Sequence, residues 1–449
     1  MIGNKRVLAF IGTRKIWQIV LVCILLMAAI ASIGHIWYKN YVDHRFDGKV
    51  WGVDFYQFWY GGQFLWQGQE PYSAVMRGEK PRVTAINASS ATATPQIGEP
   101  LPMKWDISYI PGSAPLFLLL APLSLIPWVS ASILWGAINT LLGFIYVWIL
   151  LHLNGESLTS LRGVALLAVF LCLLATRQVL ELGQTSLIIV TLMFAALLVI
   201  EQSPVVSGIF LGIALSKFTL AFPMIVYFLY RQQYKALLIC VATQFGGLLA
   251  IVLFTHSNLF LVAQTNLIMG WNIVTTQQTA GFATHLFALG WGMVAYIVAI
   301  IMTLMAVIGI IVWFRSRPML RMDDLSGQTL ISIASFWGLL LIYHAWHDWV
   351  VGMLFVVILA LRSKTQKKSH LSSFLLTGQQ TIVLYVLTIT VLSVWILPLY
   401  TLIGEVNYRS LFAVCTIIVF VLSLGLLFTI QNPTTRTSDR QPAGHPQVQ

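Results

Sequence analysis

Apolar runs of roughly 17–25 residues recur along this chain, each long enough to cross a hydrocarbon core of about 30 Å as a helix. Short polar stretches separate them. The pattern predicts helical spans near 16–37, 128–151, 160–176, 184–200, 205–230, 236–255, 286–314, 327–342, 349–361, 379–398 and 409–430. The stretch from Gly112 to Ile126 carries Pro115 and Pro122, and as a helix it reaches only about 22 Å. Counted as a span, it brings the total to about twelve. That count also leaves the turn around Arg177 to Gln184 on the cytoplasmic side. The expected fold class is an all-α polytopic membrane protein, a bundle of about 12 transmembrane helices. Its long first extracytoplasmic loop, 38–111, carries interfacial helices.

Composition supports the same class. The chain has 449 residues, 58% of them hydrophobic and only 9% charged, too few charges to cover a water-soluble domain of this size. Lys5, Arg6, Arg14 and Lys15 precede the apolar run from Ile16 to Ile36. That run is too long for the core of a cleaved signal peptide and lacks a small-residue cleavage pattern, so it reads as a retained signal anchor. The net charge of +11 resides in short clusters: Arg231 to Lys235, Arg315 to Arg321, Arg362 to Lys368, and Arg436 with Arg440. Positive-inside topology accounts for them without a nucleic-acid partner. It places both termini in the cytoplasm of a cell (plasma or inner) membrane protein. Cys23, Cys172, Cys240 and Cys415 lie singly in apolar segments and read as small hydrophobes. No internal repeat is evident, which argues against transporter folds built from duplicated halves. The outward-facing segments are 38–111, with a Ser/Ala/Thr-rich linker at Ala88 to Pro95, then 256–285 and 343–349. None is large enough for a separate domain, so chemistry must be built from loops and helix ends at one face.

Charged groups at membrane depth are costly, so the few present are candidates for function. Asp54 opens the stretch Asp-Phe-Tyr-Gln-Phe-Trp-Tyr-Gly-Gly-Gln-Phe-Leu-Trp-Gln-Gly-Gln-Glu-Pro-Tyr, which ends at Tyr72. Phe55, Phe58, Trp59, Leu65 and Trp66 recur near helical spacing, with Gln57, Gln63 and Gln67 between them. This predicts a helix lying in the membrane interface. Gly61 and Gly62 allow another backbone or a ligand to approach closely. An aromatic belt anchoring the first span is the plainer reading of these rings, but it leaves Asp54 unexplained. In Glu181-Leu-Gly-Gln-Thr-Ser186, Thr185 or Ser186 can cap the following helix, and Arg177 can pair with Glu181. Lys217 lies deep within Gly208 to Tyr230 and needs an anionic partner, either a phosphate or a carboxylate from another helix. Tyr343-His-Ala-Trp-His-Asp-Trp349 packs two imidazoles and a carboxylate into one turn. His344 and His347, at i,i+3, are spaced to bind a divalent metal together or to donate hydrogen bonds to a phosphate. Catalytic Ser/Cys arrangements, phosphate-cradling Gly-rich loops and paired Cys motifs are missing.

Taken as a series, these segments resemble glycosyltransferase family 87, membrane mannosyl- and arabinosyltransferases of the GT-C superfamily. The matching pieces, in order, are the Asp54 loop with Gln-Gly-Gln-Glu-Pro-Tyr72, the proline-rich Tyr109 to Pro127 and Leu182-Gly-Gln-Thr-Ser186. Gly208 to Pro223 with Lys217, and the His-containing turn before Trp349, complete the set. The chain departs from the family where Pro111-Gly112 replaces two adjacent prolines and where Ser186 stands in place of a common asparagine. The resemblance covers roughly 16–361 and implies a GT-C-like catalytic module over 1–361; the apolar pattern beyond it predicts further membrane helices over 362–430 and a cytoplasmic, disordered tail over 431–449. It also implies inverting transfer of a hexose or pentose from a polyprenyl-phosphate-linked donor to an extracytoplasmic glycan or glycolipid. Asp54 is then the expected general base, and Lys217, His344 and His347 are expected on the phosphate side. Gln57, Tyr72, Gln184 and Asp348 are secondary candidates. Membrane lipids are the expected surroundings. The rival classes are a transporter or flippase for a lipid-linked or anionic substrate, and a non-catalytic envelope-assembly subunit.

Overall fold

A computed structural model describes residues 2–38, 52–79, 110, 112–276, 286–291, 293–315, 331, 348, 350 and 351. Every regular element among the described residues is helical, and four stretches are long and apolar enough to cross a membrane, or five if a bent pair counts as one. Apart from residues 331, 350 and 351, the expected spans at 327–342, 349–361, 379–398 and 409–430, and the expected divisions beyond 361, lie outside the described residues. The elements used below are α1 (Ile2–Tyr38), α2 (Val53–Trp66), α3 (Pro71–Met76) and α4 (Ala114–Leu120), the last continued by a 3-10 turn (Ala121–Leu125). Next come α5 (Trp128–Leu153), α6 (Leu161–Cys172), α7 (Leu174–Leu182) and α8 (Ser186–Val199). The series continues with α9 (Pro204–Ala214), a 3-10 turn (Leu215–Lys217), α10 (Phe218–Tyr230), α11 (Tyr234–Thr255), α12 (Leu259–Thr276) and α13 (Met293–Arg315).

Local chemistry explains the helix boundaries. Glu70 is the N-cap of α3 and accepts from the backbone N–H groups of Tyr72 (2.9 Å) and Ser73 (2.7 Å), with Pro71 in the first helical position. The Glu-Pro-Tyr motif is therefore a helix start. Ser160 caps α6 through the Gly163 N–H at 3.0 Å, and Ser203 with Pro204 opens α9 in the same manner.

The predicted interfacial helix is α2. It lies across one end of the bundle. Phe55 stacks between Trp128 and Trp135 of α5 near its start, and Trp66 meets Phe254 of α11 at its end. The 112–126 segment folds against α2 as the short helix α4 and its 3-10 turn. Trp59 donates to the Ile126 carbonyl at 3.0 Å and Trp66 to the Ala121 carbonyl at 3.1 Å. Gln63 also donates to the Ser124 carbonyl. Side chains at Gly61 and Gly62 would collide with Ile110 and Ser124, so both glycines serve this close approach. The segment is thus part of the cap over the bundle.

The expected span at 205–230 needs a second correction. Its 27 residues satisfy the length and hydropathy of a crossing, and a straight helix of that length would extend about 40 Å. Yet Arg231, just after α10, pairs directly with Glu201, just before α9. The two ends lie together. The chain climbs through α9 beside α8, where the Ser207 hydroxyl reaches the Ala196 carbonyl at 2.8 Å. It breaks at Lys217 (φ −110°, ψ 77°) and descends through α10. Residues 204–230 therefore form a re-entrant hairpin with Lys217 at its tip. Helix α11 then runs alongside α9. Any Cβ at Gly208 or Gly212 would meet Ala236, Ile239, Cys240 or Thr243, the small-residue spacing that lets membrane helices approach closely.

These two half-depth segments repair the side assignment. Removing the crossing at 112–126 moves the Gly183–Gln184 turn to the Asp54 end, whereas counting it as a span places that turn on the opposite side. Removing the crossing at 204–230 leaves the Arg231 to Lys235 cluster at the far end. The two miscounted crossings cancel there, so the basic clusters alone could not expose them. In a background without native cysteines, cysteines at 202 and 232 should react with an impermeant reagent from the same side, and one at 78 from the other. Labelling of 202 and 232 from opposite sides would mean that 204–230 crosses the membrane.

Candidate functional site

Four of the singled-out residues, Asp54, Gln184, Lys217 and Asp348, come together at the α2 end of the bundle. Asp54, in the first turn of α2, accepts a hydrogen bond from the Gln184 side-chain amide. The carbonyl oxygen of that same amide accepts from Lys217 Nζ at 3.3 Å. Lys217 also donates to Ser186 Oγ at 2.9 Å and forms an ion pair with Asp348 Oδ1 at 2.8 Å. Ser186 closes the circuit by donating to the same Asp348 oxygen at 2.6 Å. A lysine has three N–H donors, and protein acceptors engage all three.

Each side chain is delivered by a local break in helix. Gly183 ends α7 in the left-handed conformation (φ 65°), and a Cβ there would come within 2.9 Å of Gly52 Cα, so only glycine allows the turn to sit against the start of α2. Trp135 of α5 donates to the Gly183 carbonyl at 2.8 Å, and Asn139 to the Gln184 carbonyl at 3.1 Å. Helix α5 thus fixes the turn from below. At the hairpin tip, Ser216 meets Ser113, the N-cap residue of α4, at 2.7 Å between hydroxyls. That contact ties the tip to the cap layer.

Burial and charge act together on the carboxylates. Asp348 is only 5% exposed. The Asp54 carboxyl is pushed up to about 6, mainly by burial and further by Asp348. The Lys217 charge and the Gln184 hydrogen bond pull in the opposite direction. A carboxylate in this state is basic enough to accept a proton near neutrality while remaining ionised there.

The other candidates divide. Gln57, one turn beyond Asp54, is buried, and its side-chain carbonyl oxygen has no hydrogen-bond partner among the described residues. Tyr72 is fully buried against Phe117 and lies outside the hydrogen-bonded cluster. His344 and His347 lie outside the described residues, among which no group of three or more His, Cys, Asp or Glu residues could hold a metal. Of the two expected caps, Thr185 holds the N-cap position of α8 without a side-chain capping bond, and Ser186 turns its hydroxyl to Asp348 and Lys217. Asn139 and Trp135 carried no signal in the sequence beyond being polar or aromatic positions within an apolar run.

A helical, membrane-type chain whose aromatic interfacial helix carries a carboxylate bridged to a lysine has the makings of a membrane-embedded transferase. The family model for Glycosyltransferase family 87 matches residues 109–342, and the chain belongs to that family. It is a membrane glycosyltransferase. Gln184, Ser186 and Lys217 fall inside the matched region, Asp54 before it and Asp348 after it. No curated protein and no solved structure matches the chain.

The pairing seen for Lys217 is the carboxylate alternative raised above. Lys217→Met should therefore deprive Asp348 of its cation and cost about 3–5 kcal/mol of stability, read as a lower melting temperature of the purified protein. The double variant Lys217→Met/Asp348→Asn should recover a large part of that loss. A single variant as stable as the parent would show that the pair contributes nothing.

Proposed function

We propose that this enzyme transfers a hexose or pentose from a polyprenyl-phosphate-linked donor to a hydroxyl of an extracytoplasmic glycan or glycolipid, with inversion and with Asp54 as general base. The observation that carries the reading is the bridge Asp54–Gln184–Lys217, which links a basic carboxylate on the interfacial helix to a part-buried cation at the hairpin tip. The acceptor oxygen attacks the anomeric carbon as its proton passes to Asp54. The bond from that carbon to the phosphate oxygen breaks on the opposite face, and its electron pair leaves with the lipid phosphate. Such a reaction needs a base on one side and positive charge or N–H donors on the other.

Lys217 suits the phosphate side as a fixed charge, because its three donors are already engaged within the protein. Direct hydrogen bonds to the phosphate are then assigned to His344 and His347. We assign the carbonyl oxygen of Gln57, buried and without a partner among the described residues, a hydrogen bond from a sugar hydroxyl. A donor lipid resident in the bilayer reaches such a site sideways, and a site at the bundle end under α2 suits that route. The basic clusters support orienting the Asp54 end away from the cytoplasm.

Asp54→Asn should lower transfer by about 10²-fold or more, measured as sugar-dependent release of lipid phosphate from a panel of polyprenyl-phosphate sugars. Retention of most of the turnover would remove Asp54 from the reaction. In the parent enzyme, kcat/KM should fall as pH drops through about 6, where an ordinary Asp carboxylate would hold activity to near pH 4. The stability linkage has the opposite sense. A carboxyl raised in the folded state contributes stability below its unfolded pKa of about 4 and loses it as pH rises through about 6. Asp54→Asn should therefore melt at the same or a higher temperature at pH 7.

A further inference from the structure

The side-chain amide of Gln184 hydrogen-bonds to both the carboxylate and the cation. Its orientation is fixed by charge: the NH₂ group faces Asp54 Oδ2 and the carbonyl oxygen faces the Lys217 ammonium. The flipped amide would set oxygen against carboxylate and N–H against ammonium, so one rotamer alone is compatible with both neighbours. The backbone beneath is equally constrained by Trp135, Asn139 and the Gly183–Gly52 contact. We propose that Gln184 is a positioning residue for the transfer reaction, which occupies Asp54 Oδ2 and thereby leaves Oδ1 as the oxygen that receives the acceptor proton. This inference rests on Asp54 being the base.

A second consequence follows from the same bond. A hydrogen bond to the ionised carboxylate favours that form, so Gln184 keeps Asp54 deprotonated against the desolvation that opposes it. The charged groups acting on Asp54 are Lys217 from the hairpin tip and Asp348. Among the elements packed on α2, α7 carries Arg177 and Glu181, α3 carries Tyr72 with its cap Glu70, and α5 carries Tyr146 and His152. Helix α11 carries Tyr234, Lys235 and Cys240 with His256 at its end, whereas α4 and its 3-10 turn have no titratable side chain. None of these stands between Gln184 and Asp54, so removing the amide should act on the carboxylate directly.

Gln184→Leu and Gln184→Met keep most of the side-chain volume and delete both hydrogen bonds. With the parent and each folded variant, the pH dependence of kcat/KM is measured alongside donor KM and melting temperature. The acidic limb should move up by about one pH unit, and kcat on the plateau should fall about tenfold with donor KM within about twofold. The Met variant, the more adaptable of the two, supplies the result if the Leu variant does not fold. A uniform rate loss with an unmoved limb would assign Gln184 a merely structural role and overturn the inference. So would full activity with an unmoved limb. Asp54→Asn run in parallel separates the two readings: an active Asn variant removes the base itself, whereas an inactive one with an unmoved limb in the Gln184 variants removes only the role given to Gln184.

Discussion

A lysine ammonium held below a membrane surface is the constraint around which the described part of this protein is arranged. Removing such a charge from water costs several kcal/mol unless it is paired and hydrogen-bonded. Lys217 meets that demand with Gln184 and Ser186 from one turn and with Asp348 from a distant stretch of chain. To bring them together, α8 must begin beside the hairpin tip, α7 must end there, and Asp348 must reach both Ser186 and Lys217. The Gly183 turn, the Trp135 and Asn139 anchors and the break at Lys217 all serve this meeting point. Asp54 enters it at one remove, through the Gln184 amide.

The arrangement also assigns chemistry by position. The interfacial helix contributes the carboxylate, and the bundle contributes the cation and its counter-charge. The carboxylate can thus remain close to an aqueous acceptor while its proton affinity is set from below. Because Lys217 is fully engaged within the protein, it acts through its field and by holding Gln184 in place.

What the sequence revealed, and what it hid, follows the range of the interactions. Helix α2, its aromatic face and the partner requirement of Lys217 were legible because they depend on local periodicity and on the cost of a single charge. The capping role of Glu70 is local as well, but the Gln-Glu-Pro-Tyr motif does not by itself display the carboxylate folding back onto the Tyr72 and Ser73 N–H groups. The choice of Asp348 over a phosphate was hidden, since the two residues are 131 positions apart. The hairpin was hidden for another reason. A helical pair folded at mid-length has the same composition as one crossing, and only its excess length and the Ser216-Lys217 pair at its centre hinted at a tip. The short apolar segment at 112–126 misled in the same way, and the two errors cancelled where the basic clusters could have exposed them. Ser186 resembled a routine cap because its sequence context is that of one, while its partners come from elsewhere.

The hairpin has a consequence for how the protein is made. Lys217 enters and leaves from the Arg231 end, so its charge needs only to be lifted part-way and never has to be translocated. Its counter-ion belongs to a segment synthesised 131 residues later. A chain emerging from the ribosome therefore carries the hairpin for many seconds before Asp348 exists, at elongation rates of about 5–20 residues per second. During that interval the cheapest place for Lys217 is near water. The tip seats itself when the later segment arrives, so the polar centre is assembled last, and the enzyme cannot acquire its working geometry before most of its membrane helices have been made.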